Sequence, residues 1–183
     1  MKNVILLLVG FVVGILLCIV VPLAIFAAGT INFGATTKPG WLERTLAPWA
    51  LDQSRETRAP RENDPYTNAP AVLVTGLDYY RANCVMCHGA PEVDTWDLAK
   101  GLNPSAPHLQ SHGTQSFSDG ELFWTVKQGV RMTGMPAFKP THSDEQIWII
   151  VAFVRHLPSL SADEKAALRA AREAVTHLPV EAK

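Results

Sequence analysis

Residues 84 to 88 read Cys84-Val85-Met86-Cys87-His88. Two cysteines three apart, followed at once by a histidine, form the attachment signature of a covalent haem. On a short helical turn both thiols can face one porphyrin edge and add to its two vinyl groups. His88 then lies over the porphyrin centre, where it can ligate the iron. A structural zinc site would take four ligands, and the chain holds no second cysteine pair to complete one. One covalent haem c is therefore the expected cofactor. The rest of the chain is expected to supply a second axial ligand and a pocket.

The 183 residues carry a formal charge of −1, and no nucleic-acid partner is expected. The length points to one domain with additions. The first addition is Val4 through Ala28, which holds no charged side chain. Some 25 residues at about 1.5 Å each span roughly 37 Å, enough to cross a hydrocarbon core of about 30 Å. A signal-peptide apolar region is shorter, about 7–15 residues, so an uncleaved anchor is expected over residues 1–29. Leu16 and Leu17 precede Cys18 where a lipoprotein cysteine would follow a small residue. The Lys and Arg count after the span does not favour translocation of the carboxyl side. The haem signature does, because such haems are joined to protein on the outer face of bacterial inner membranes. The expected topology is single-pass in that membrane, with the haem domain on the periplasmic side.

Residues 30–70 read as an interfacial segment and linker. Trp41, Leu42, Leu46 and Trp49 recur at roughly helical spacing, so 39–51 is expected to be a short helix in the headgroup layer; the alternative is a loop whose tryptophans dock on the haem domain. Residues 52–70 are charged and carry Pro60, Pro65 and Pro70, the composition of an extended, partly stiff linker. The haem domain is expected at 71–160. Its predicted helices are Leu77 to Ala82, leading into the haem signature, a second starting at Ser118 and a third at Ser143. Ser118 with Glu121, and Ser143 with Gln146, are capping-box pairs, while Gly129 stops the second helix and Pro158 follows the third. Residues 89–117 read as a wrapping loop, and no strand pattern appears. A polar fourth helix, Ala162 to Val175, lies in the terminal segment 161–183. Its thin apolar stripe reads as solvated, or as a surface for a partner subunit.

The sixth iron ligand is sought in Arg131-Met132-Thr133-Gly134-Met135-Pro136. A methionine sulfur there would close the iron and raise its potential. Met135, between a glycine that permits close backbone approach and a proline that stiffens the loop, is the expected ligand. Met132 is the rival, and is expected to pack in the pocket. His108, His112 and His142 are available in principle, but lone histidines in polar loops are more often solvated.

With these residues in hand, 71–160 resembles a class I c-type cytochrome of the small monohaem bacterial type. Gly76 and Tyr80 match the family's glycine and aromatic on the first helix, and Trp148 the aromatic on the last. Pro107 and Leu109 match the proximal loop, and Gly134-Met135-Pro136 the distal loop. The resemblance implies an all-α fold around one haem. It also implies His88 and Met135 as iron ligands, with the Pro107 carbonyl orienting His88. The implied function is single-electron transfer rather than substrate chemistry, as a carrier or as the cytochrome subunit of a larger complex. A quinol-oxidising complex, a haem–copper oxidase and a periplasmic dehydrogenase are the candidate redox partners. Two alternatives stand beside it. One is an open-iron peroxidase or gas sensor, for which Arg131 is the only distal polar group to name. The other is an assembly subunit making contact through Trp41–Leu51 and the carboxyl-terminal helix. Six Lys/Arg against eight Asp/Glu in 71–160 leave no basic ring to steer an acidic partner.

Overall fold

The structure, a computed structural model, describes residues 2–67 and 69–176. Regular structure among them is helical, apart from an isolated bridge between Ala90 and Val93. The chain divides into two compact units, Met1–Lys38 and Pro39–Lys183.

The first unit is built on α1, Lys2–Ala27. It is long and apolar enough to cross a membrane, and protein buries none of its side chains. Gly29 ends it in the left-handed region at φ 64°, and the Thr30 hydroxyl donates to the Ile25 carbonyl at 2.9 Å.

The second unit begins with α2, Trp41–Arg58. Here the structure corrects the linker expectation, because residues 52–58 continue the helix and its end is docked. Arg55 is buried, with Cζ 3.7 Å from the centre of the Phe117 ring. The following segment presses on the start of α6, Asp119–Gln128, which follows the one-turn α5, His112–Gln115. The Asp64 amide donates to Asp119 Oδ2 at 3.0 Å, and a methyl group on Gly120 would collide with the Pro60 carbonyl oxygen. Charges and prolines gave this stretch the composition of a linker; its partners lie more than 50 residues away and leave no local signal. The first half of α2 keeps Trp41, Leu42, Leu46 and Trp49 exposed. The tryptophans therefore do not dock on the haem domain, and they present the surface an interfacial helix needs.

The core is the crossing of α3, Pro70–Asn83, with α7, Asp144–His156. α3 starts seven residues before the expected Leu77. Pro70 opens it rather than blocking it, since the first helical turn needs no amide donor there. A Cβ on Gly76 would lie 2.7 Å from Phe153 Cβ and 3.0 Å from the Ile149 carbonyl oxygen. Only glycine permits so close an approach. Tyr80, fully buried, meets Phe153 at 5.4 Å between ring centres. Trp148 instead stacks on Phe123 of α6 at 4.2 Å. The aromatic lying against the crossing glycine is thus Phe153, five residues beyond Trp148. Both expected capping boxes form, Ser118 with Glu121 and Ser143 with Gln146.

The carboxyl-terminal helix, Ala162–Thr176, is not simply solvated. Leu168 is fully buried in the main core. Lys165 pairs with Glu92 at 2.5 Å and Arg172 with Asp94 at 3.5 Å. Leu168 of the apolar stripe is thus used within the chain, while Ala166 and Ala170 stay exposed. Leu168→Ala is expected to destabilise the domain by about 2–5 kcal/mol, read as the shift in a denaturant unfolding midpoint. Acid should loosen the same helix. Burial pushes the Glu164 carboxyl up, but the Ser161 amide and hydroxyl and the His156 ring together hold it below its ordinary value of 4.5. A carboxyl held low when folded contributes stability above its unfolded value, and loses it as pH falls through the folded one. Amides of this helix are expected to exchange faster below about pH 4.5, with Glu164→Gln removing that acid step.

Candidate haem site

The haem signature is one helical turn. α3 ends at Asn83, and α4, Val85–His88, follows after Cys84. The Cys87 and His88 amides both donate to the Cys84 carbonyl, at 3.1 and 3.0 Å. Gly89 stops the turn at φ 61°, and a Cβ there would meet the Val93 carbonyl oxygen at 2.7 Å. The Tyr80 hydroxyl donates to the Gly89 carbonyl at 2.6 Å, fastening the turn to α3.

This turn forms one wall of a cavity of about 470 Å³. Cys84, Cys87, His88, Pro107, Leu109 and Met135 all line it. Leu122, Val126, Ile150, Val151 and Val154 supply much of the apolar remainder. Both thiols are free. Burial, and then the neighbouring Cys87, push the Cys84 thiol up to about 12, and burial also raises Cys87.

His88 is buried, and its Nδ1 lies 2.8 Å from the Pro107 carbonyl oxygen. The carbonyl can only accept, so Nδ1 carries the proton and Nε2 keeps its lone pair. Burial lowers the His88 pKa; the Pro107 bond partly opposes this, and His108 adds to it. A neutral imidazole with a fixed tautomer and an unprotonated Nε2 is the state an iron ligand needs.

Met135 sits on a loop built by its own hydrogen bonds. The Val130 amide donates to the Met135 carbonyl at 3.1 Å. The Thr133 hydroxyl donates to the Val130 carbonyl at 2.7 Å and accepts from the Met135 amide at 3.1 Å. Met132 departs from expectation. It stands at φ 63° with 86 % of its surface exposed, and so does not pack in the pocket. The left-handed backbone turns its side chain out where Met135 turns in. His108, His112 and His142 do not line the cavity, and neither does Arg131, which is exposed.

Sequence reasoning missed Leu51 and Arg55, both on α2 and both lining the cavity. Their weak signal was the apolar spacing of α2 itself, which runs past Trp49 to Leu51.

The residues fit a haem: two free thiols and a histidine with its outer nitrogen open, all facing one apolar cavity. An all-helical domain with this cavity has the make-up of a c-type cytochrome. Residues 71–154 match the family described as cytochrome C oxidase, cbb3-type, subunit III. Residues 71–154 are thus similar to a c-type cytochrome domain, the kind that binds haem c and serves electron transfer. Among curated proteins, none matches the sequence.

Proposed function

We propose that the chain is a membrane-tethered cytochrome that passes single electrons through one covalent haem, as the cytochrome subunit of a haem–copper oxidase complex. Cys84 and Cys87 would hold the haem by thioether bonds, and His88 and Met135 would ligate its iron. The observation that carries this reading is the 2.8 Å contact of His88 Nδ1 with Pro107, in a cavity shared with Met135 and both thiols. When bound, the haem supplies a one-electron ferrous/ferric couple whose potential the ligands and surroundings set. The protein's share is to orient His88, to present the Met135 sulfur and to keep water from the apolar cavity. α1 supports a single-pass anchor, and the haem signature supports a periplasmic domain. The matched family's description supports the oxidase over a quinol-oxidising complex or a dehydrogenase. An open-iron peroxidase or sensor is disfavoured, because Arg131 is exposed and does not line the cavity, whereas Met135 does.

Two measurements test the proposal. Haem stain should follow the denatured full-length chain on a gel, and vanish in a Cys84→Ala, Cys87→Ala double variant. The ferrous chain in its native membranes should be reoxidised by oxygen, and cyanide should block this. Haem that leaves the wild-type chain on denaturation sinks covalent attachment. Reoxidation untouched by cyanide sinks the oxidase placement.

A further inference from the structure

Among the described residues that line the cavity, Arg55 is the one Lys, Arg, Asp or Glu. It lies outside the stretch matched by the family model, on the helix that precedes it. It is only 6 % exposed, and a buried guanidinium is costly unless paired. Its pairing is lopsided. Nη2 donates to Asp52 at 2.6 Å, and Asp52 is half exposed and screened by solvent. Nε reaches Glu121 Oε1 only at 3.5 Å. Nη1 makes no hydrogen bond among the described residues. The Phe117 ring holds the guanidinium plane in place from one side.

A haem brings two propionates into a cavity whose lining is otherwise uncharged, His88 being neutral. We propose that Arg55 is the residue that receives a haem propionate, and that through it α2 sets the reduction potential of the haem. This deepens the proposed function and rests on haem occupying the cavity. A fixed cation nearby disfavours the more positive ferric state, so it raises the potential, and an arginine fork suits a carboxylate better than a lysine does. Asp52 and Glu121, which share the guanidinium, moderate that effect.

The test is the reduction potential of the full chain in detergent, wild type against R55Q, R55K and D52N. R55Q is expected to shift the ferric/ferrous equilibrium about tenfold toward ferric, about 59 mV for one electron. R55K should fall by less, since it keeps the charge and loses the fork. D52N alters a half-exposed side chain and should move the potential the other way, upward. A lower unfolding midpoint for R55Q with an unmoved potential assigns Arg55 to packing alone and overturns the proposal. Should R55Q not fold, an unmoved potential in D52N overturns it equally. Haem content by pyridine haemochrome separates the two readings. A wild-type chain without haem overturns both, whereas haem with unmoved potentials overturns this one alone.

Discussion

Met135→Ala in the full chain is expected to turn a low-spin haem spectrum high-spin, to admit carbon monoxide and to lower the reduction potential. Axial ligands command a span of roughly 0.8 V across haem proteins, and a methionine sulfur lies toward the high end. The fall should therefore be a sizeable fraction of that span, larger than any effect of a surface charge. The expectation depends on whether another side chain can step in. None is placed to do so: Met132 is 86 % exposed, and His88 is the only histidine lining the cavity among the described residues. Water or an added ligand is left to fill the position. The readouts are the far-red methionine–iron band, carbon monoxide binding and a redox titration. A variant that stays low-spin and refuses carbon monoxide would show that the sixth ligand is not Met135. Met135→His should stay low-spin but still lose potential, which separates loss of the sulfur from loss of a sixth ligand.

How far the sequence revealed this site depends on how local each signal is. The Cys84–His88 turn was legible because attachment to one porphyrin edge fixes spacing within five residues. The two capping boxes were legible because a helix start is closed by groups three residues apart. Met135 was legible through its immediate neighbours Gly134 and Pro136. What escaped was non-local. Arg55 faces the cavity only because α2 docks on α6, and its contacts with Phe117 and Glu121 span more than 60 residues. Leu168 reads as one leucine on a polar helix, yet it is fully buried in the main core. The family resemblance named Trp148 as the aromatic of the last helix, while the residue lying against Gly76 is Phe153. That choice follows from rotation along α7, which composition cannot specify. Pro70 counted toward the linker by composition; at the first helical turn its missing donor is harmless.

Gly129→Ala is expected to be severely damaging, and its effect should reach the Met135 sulfur. Gly129 ends α6 with φ 64° and ψ −172°, a backbone region that is essentially confined to glycine. A Cβ there would sit 2.5 Å from the Pro136 carbonyl carbon, 2.6 Å from the Ala137 amide nitrogen and 2.7 Å from the Pro136 carbonyl oxygen. These are backbone atoms and cannot rotate aside. Strain of about 1–3 kcal/mol adds to overpacking of about 1–3 kcal/mol. Relief requires the loop to move, and Pro136 is joined directly to Met135. The bond from the Val130 amide to the Met135 carbonyl carries the shift back along the loop. Gly134→Ala is the matched control. Its Cβ would also meet an atom at 2.5 Å, but that atom is Leu102 Cδ2, the far end of a flexible side chain. Gly129→Ala should therefore lose most of the methionine–iron band together with stability, while Gly134→Ala keeps most of both. Equal damage from the two would mean that the distal loop yields as easily as a leucine side chain. In that case the hydrogen bonds through Thr133 would not be what holds Met135 in place.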